Sequence, residues 1–362
     1  PDLESKLNTA LESGDIFAQQ SAQELLPLVQ QAKLLVKQYD AVIANPPYMG
    51  NGYLNPLLKE FLKKNYIGYE KDLFSTFMIR NLHFAKPNGQ LGFMSPMVWM
   101  FISSYENLRT YFIDQAIIYS LIQLEYNASG EVRVPLCAFI LSKQHIANFI
   151  GSYIRLTEFP GYDVQSVKTL EALKNPECGW FFTAKPDDFK KIPGSPIAYW
   201  IKGISNFDGL KLSDLMISGG RTKTHGNDKY IRYFWEISNI IGSKWEPYAN
   251  GGEFRKFYGN EIHVVDWSDA AKSFYSEHGG LYNNIFWGTV GITWSLITSS
   301  LNSFRVKTKE AHYSSGSPTI FTKDYELDTY ILGFLNSMIT SYYLKAINPT
   351  LNTTVGDVLS LP

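Results

Sequence analysis

The sequence predicts an α/β fold, and three observations carry that prediction. Amphipathic and apolar segments alternate over the first 150 residues, one apolar run feeds a proline-rigid polar loop, and beyond Gly151 the chain turns to glycines, aromatics and short β-like runs. Two domains are therefore expected, residues 1–150 and 151–362, the second of mixed α+β character. Ser21-Ala22-Gln23-Glu24 has the spacing of a capping box, and apolar residues recur at helical intervals through Lys37, which predicts a helix. Tyr39 to Ala44 reads as a strand. Helices are expected over Pro56 to Lys64, Asp72 to Ala85 and Ser104 to Asp114, and strands over Gln90 to Met94, Ile117 to Leu124 and Val134 to Leu141.

The loop after the first strand holds the most chemistry. In Asn45-Pro46-Pro47-Tyr48 two prolines fix φ and push Asn45 into an extended conformation, so its amide points away from the sheet in one direction. An exocyclic amine on a heteroaromatic ring is a poor nucleophile because its lone pair is delocalised. Acceptors activate it: the Asn45 side-chain oxygen and the Pro46 carbonyl each suit one N–H, and Tyr48 offers a face worth roughly 1–3 kcal/mol per stacked base. That stacking offsets much of the cost, a few kcal/mol, of flipping a nucleotide from a duplex. The plainer reading is a strand-ending turn that contains two prolines.

These four residues resemble motif IV of the S-adenosylmethionine-dependent methyltransferases that modify adenine N6. By that resemblance Asn45, Pro46, Pro47 and Tyr48 are catalytic, binding and stacking on the target base. Similar loops occur in methyltransferases acting on protein glutamine and guanine N2, so the tetrapeptide alone does not choose the substrate. The second half of the chain does. Lys244-Trp245-Glu246-Pro247-Tyr248, Gly251-Gly252-Glu253-Phe254-Arg255-Lys256, Gly291-Ile292-Thr293-Trp294-Ser295 and Asn348-Pro349-Thr350-Leu351-Asn352 resemble, in the same order, the adenine-specific methyltransferases of the PglX type found in BREX phage-defence systems.

The resemblance implies a partial Rossmann-like S-adenosylmethionine-dependent methyltransferase sheet, the C-terminal part of a catalytic domain, followed by a target-recognition domain. It also implies double-stranded DNA and other phage-defence proteins as partners. In such proteins the glycine-rich cofactor loop precedes the Asn-Pro-Pro-Tyr loop. Here the only glycine before Asp40 is Gly14, so an excised or incomplete part of a larger protein is expected, inactive alone, with the strand before Asn45 lacking a neighbour on one side. By the same resemblance Asp15 would accept from the cofactor's adenine amine, and Asp72 with Phe74 would lie near the cofactor. The plainer readings are a loop before a helix for Asp15, and a helix cap followed by core residues for Asp72 and Phe74. Ser129 falls where the family often carries a second base-stacking aromatic, and Tyr126 is the nearest ring.

Composition excludes other classes. No apolar run approaches the roughly 18 residues of a membrane span, and no signal sequence opens the chain, so a cytoplasmic location is expected. Cys137 reads as core, and neither it nor Cys178 suggests a disulfide framework. The six histidines have no metal-site spacing, and no metal is expected. Asp187 or Asp188 reads as the cap of a helix beginning there, and the two do not read as a nuclease pair. Trp294 reads as core.

A net charge of −1 argues against generic nucleic-acid affinity, but Lys211 to Asn260 carries eight Lys or Arg against five acids, net +3, interleaved with aromatics. Arg221, Lys223, Asn227, Arg232, Arg255, Lys256 and Arg305 are the candidate DNA contacts; a solvated mixed surface is the plainer reading. Adenine N6-methylation of DNA is the leading function. A catalytically incomplete DNA-recognition or assembly component is the alternative, and protein glutamine methylation, which needs no long recognition domain, ranks below both.

Overall fold

The fold is that of a computed structural model, which describes residues 2–126, 134–238, 244–282, 284–299 and 301–362. It has two compact units, Pro1–Asp187 and Asp188–Pro362. The first unit thus runs on to residue 187, past the expected boundary near residue 150 by about a fifth of its length. The reason is local: Gly151 opens another strand of the first sheet, where a side chain would collide with the Ile118 carbonyl oxygen, so glycine marks close strand contact and not a new domain.

The first unit runs α1 (Asp2–Leu11), α2 (Ile16–Val36), β1 (Tyr39–Ala44), α3 (Pro56–Asn65), α4 (Leu73–Phe84), β2 (Ala85–Pro96), α5 (Glu106–Gln115), β3 (Ile117–Gln123), β4 (Leu136–Ser142), β5 (Gly151–Arg155), α6 (Tyr162–Lys174) and β6 (Phe181–Ala184). Six strands form one mixed sheet in the order β1-β2-β4-β3-β5-β6. β1 pairs in parallel with β2, matching Val42 with Leu91 and Ala44 with Phe93, while β4 lies antiparallel between β2 and β3. The expected elements between Tyr39 and Leu141 are all present within a few residues. Helix α2 begins earlier than expected, because Asp15, not Ser21, caps it: one carboxylate oxygen accepts the Phe17 and Ala18 N–H groups at 2.9 and 3.3 Å.

β1 is an edge strand, and among the described residues it has no partner on its outer side; Ile43 is 87% exposed. The core lies on the other face, where Trp99, Phe112 and Phe139 pack ring against ring, with Phe93 against Phe139. Buried Arg109 donates to the Trp99 and Ile102 carbonyls, both at 2.8 Å, which holds the turn between β2 and α5. Cys137 is core as expected, its thiol pushed up to about 12 by burial.

The second unit is built on two four-stranded sheets. Its strands are β7 (Met216–Ile217), β8 (Ile231–Tyr233), β9 (Trp245–Ala249), β10 (His263–Asp266), β11 (Gly291–Thr293), β12 (Arg305–Lys307), β13 (His312–Tyr313) and β14 (Thr319–Thr322), in the orders β13-β9-β10-β8 and β12-β11-β14-β7. Trp294 is fully buried and its indole N–H donates to the Thr353 carbonyl at 2.8 Å, so it is core. Asp187 and Asp188 lie in the 3-10 turn Pro186–Lys191, where Asp188 pairs with Lys191 at 2.9 Å. Among the described residues no helix is long and apolar enough to cross a membrane, and no three His, Cys, Asp or Glu side chains gather as a metal site.

Lys307 is fully buried, donating to the Thr289 carbonyl at 2.6 Å, and burial brings its ammonium down to about 8. Its folded value lies below its unfolded one, so above pH 8 the unfolded chain holds the extra proton and stability rises with pH. Buried Tyr248 and Tyr313, whose hydroxyls are pushed up, act in the opposite sense once free tyrosine ionises near pH 10. Thermal denaturation is therefore expected to show a gain of about 2 kcal/mol between roughly pH 8 and 10 that Lys307→Met abolishes.

Candidate active site and nucleic-acid interface

Parallel pairing delivers Asn45 at the carboxyl end of β1, where ligands gather in open α/β sheets. Asn45 and Pro47 are exposed, Pro46 is buried and Tyr48 is half-buried. The Tyr48 hydroxyl donates to Asn45 Oδ1 at 2.8 Å and lies 3.4 Å from the Met94 carbonyl oxygen. Burial raises the pKa of that hydroxyl, which keeps it a donor. Beside Asn45 an apolar hollow of about 390 Å³ opens between Ile43, Met94, Ile122 and Ile140.

The exit of the loop is tied to the start of α4. Asp72 Oδ1 accepts the Met49 N–H at 2.9 Å and the Phe74 N–H at 3.3 Å, so one carboxylate caps the helix and anchors the loop. The Leu73 N–H donates back to the Met49 carbonyl and the Asn51 N–H to the Lys71 carbonyl, both at 3.3 Å. Burial raises the Asp72 carboxyl pKa against the lowering effect of the Phe74, Met49 and Leu73 N–H groups. Asp72 is thus brought to the Asn45 loop. Phe74 is not open to a ligand: it is 1% exposed, its ring 5.3 Å from that of Tyr105, and it belongs to the core. Asp15 is occupied as the cap of α2. Ser129 lies outside the described residues, while Tyr126, just past β3, is exposed.

In the second unit four candidate contacts line adjoining hollows. Arg221 lies over the Tyr282 ring at 4.7 Å in a hollow of about 560 Å³, which shares Ser314 and Ser315 with a second of about 500 Å³ lined by Lys223 and Asn227. That one shares Asn227, Asp228 and Asn250 with a third of about 400 Å³, where Arg232 and His263 lie. Sequence reasoning missed Tyr282, Asn250 and the serines; the small polar run Ser314 to Ser317 was the available signal. Arg255 is exposed on a separate loop, and the Lys256 ammonium is tied to the Asn336 carbonyl at 2.8 Å. Arg305 is a correction: at 1% exposure, with Nη2 donating to the Gly251 carbonyl at 3.2 Å, it is an internal brace and not a surface contact.

Residues 4–129 match the family described as the Eco57I restriction-modification methylase. The adenine-specific methyltransferase PglX of Lacticaseibacillus casei (strain Zhang) is 32% identical over 391 residues, covering 99% of this chain and 32% of the relative. The adenine-specific methyltransferase BrxX of Escherichia coli O9:H4 (strain HS) is 34% identical over 363 residues, covering 96% of this chain and 30% of the relative. The chain therefore spans about a third of the length of these curated relatives. Among solved structures, the Type IIL restriction-modification enzyme MmeI in complex with DNA has the same fold, with a TM-score of 0.57 at 12% identity over 88% of this chain and 45% of that one. The kinship read from the sequence is borne out: along nearly its whole length the chain is related to PglX and BrxX.

Replacing Asp72 with alanine removes both the helix cap and the acceptor for the Met49 N–H. A loss of about 1–2 kcal/mol in unfolding free energy is expected, with faster hydrogen exchange at the Met49 amide. Asp72→Asn, which keeps an oxygen in place, is expected to lose less than half of that.

Proposed function

Taking the PglX and BrxX family as premise, we propose that this chain carries the target-base side of a DNA adenine N6-methyltransferase, together with its DNA-recognition unit. The observation that carries the reading is the Asn45–Tyr48 pair at 2.8 Å, held at the end of β1 in a loop anchored by Asp72. Kinship with PglX and BrxX supports a role in phage defence, with double-stranded DNA as substrate and other defence proteins as partners.

The residues act without a strong base. A carboxamide oxygen has two lone pairs, so Asn45 Oδ1 accepts an adenine N–H while still receiving the Tyr48 hydroxyl. The Pro46 carbonyl takes the other N–H, and the nitrogen lone pair is freed toward the incoming methyl group. Tyr48 stacks on the flipped base, and its hydroxyl fixes the direction of the Asn45 oxygen. After transfer the surplus proton leaves the amine to water. When bound, S-adenosylmethionine supplies the activated methyl group. On that side the chain offers Asp72 and the apolar hollow lined by Ile43, Met94 and Ile122, whereas Asp15 is engaged in its cap and Phe74 in the core.

Tritium transfer from S-adenosylmethionine to duplex DNA tests the catalytic half, in an active protein containing this chain. Asn45→Ala is expected to lower kcat by at least about 100-fold with DNA affinity retained, and Tyr48→Phe by about tenfold with KM little changed. Unchanged methylation by Asn45→Ala removes the residue from this role. For recognition, Arg221→Ala and Lys223→Ala are each expected to weaken duplex binding and to reduce the slope of log affinity against log salt by about one.

A further inference from the structure

We propose that the loop from Gly251 to Asn260 is a rigid aromatic wedge that stacks on base faces of DNA; this deepens the DNA-binding reading above and rests on it. Phe254, Phe257 and Tyr258 are 52%, 51% and 71% exposed. Three large rings in one short loop would ordinarily be buried for the apolar area they remove from water. Here the packing of the unit does not account for them.

The backbone that presents these rings is unusual. Gly251, Gly252, Phe257, Gly259 and Asn260 have φ of 78°, 122°, 69°, 117° and 65°. Glycine is needed at 252, since a Cβ there would sit 3.0 Å from the Asn260 carboxamide. At Phe257 an aromatic residue holds a conformation that L side chains avoid, a form of strain that persists only where neighbours over-determine it. The neighbours do so. The Phe257 N–H donates to the Phe304 carbonyl at 2.8 Å, and its carbonyl accepts the Val306 N–H at 2.9 Å, which fastens the loop along β12. Asn260 Nδ2 donates to the Glu253 carbonyl at 2.7 Å, the Ser295 hydroxyl to the Gly252 carbonyl at 2.8 Å, and buried Arg305 to the Gly251 carbonyl at 3.2 Å. The Lys256 ammonium is tied to the Asn336 carbonyl.

The result is a braced scaffold behind rings that face solvent. Such bracing has a use when the partner is flat, because rings held in place lose little freedom on stacking. It would be wasted on a loop that folds away. Charge selects the occupant: exposed Arg255 sits among the rings, and Lys256 lies 6.0 Å from the Phe254 ring, against the single acid Glu253. A cationic aromatic tip suits a π face beside a phosphate.

Fluorescence anisotropy with the full chain and labelled duplex tests this. Phe254→Ala/Tyr258→Ala changes two exposed rings, and an unaltered melting temperature verifies its fold. It is expected to bind about tenfold more weakly with the salt slope unchanged, since stacking releases no counterions. Tyr258→Trp is expected to keep affinity and to lose indole emission on adding DNA. If the double variant binds as the wild type while Lys223→Ala binds more weakly, the wedge fails and the DNA reading stands. Emission from the Tyr258→Trp variant that DNA leaves unquenched relative to the wild type also overturns it, since no base then lies on that ring. If the wild type binds no duplex even at low salt, the DNA reading itself fails and the wedge with it.

Discussion

The parallel pairing of β1 with β2 is the constraint on which the first unit turns. Parallel neighbours cannot be joined by a hairpin, so the chain must leave the end of β1, cross over and return before β2 begins. The crossover is the Asn45 loop, α3 and α4. Because α4 must start near the end of β1 to run back along the sheet, its N-terminal cap comes to the loop, and Asp72 serves both. The anchor of the Asn45 loop thus follows from a rule of connection. The Asp40 carboxylate, held low by Lys86 at 2.9 Å, marks the other end of the same strand pair.

Local chemistry made the Asn45 loop readable in the sequence. Two prolines restrict their own φ and that of Asn45, and a short apolar run before them has few alternatives to a strand, so the site could be placed without knowing the sheet. The helix cap at Asp72 was readable for the same reason. Asp15 shows the limit: an acid after glycine before a helix fits either a cap or a ligand, and only its bonds to Phe17 and Ala18 decide. Phe74 is similar, since an apolar residue in the first turn of a helix does not declare which side it faces.

In the second unit the sequence could count charge but not depth. Arg221 and Arg305 look alike in a list of basic residues, yet one lies over an exposed tyrosine and the other is buried beneath a loop. Depth is set by non-local pairing. Arg305 belongs to β12, whose partner β11 is held in turn by β14, and its side chain is buried where it bonds the Gly251 carbonyl, over fifty residues earlier. The boundary at residue 187 was hidden for the same reason, because β5 pairs with β3, some thirty residues earlier, and nothing in Gly151 to Arg155 announces that partner.

The two units show two ways of paying for order in advance. At Asn45 a short bond to Tyr48 fixes a polar group and leaves its second lone pair unused by that bond, the lone pair to which the proposed chemistry assigns the substrate amine. A donor in that position does not compete with a substrate amine as a second acceptor would; it withdraws density slightly and, in exchange, holds the oxygen in one direction. Since geometry errors of about 1 Å at a reacting centre can cost on the order of 100-fold in rate, direction outweighs the small loss of acceptor strength. On the loop from Gly251 to Asn260 the fixed groups are apolar, and the cost appears as left-handed backbone at Phe257 opposed by hydrogen bonds to its neighbours. In both places the ordering is carried by bonds within the chain before any ligand arrives, so binding free energy need not be spent on it.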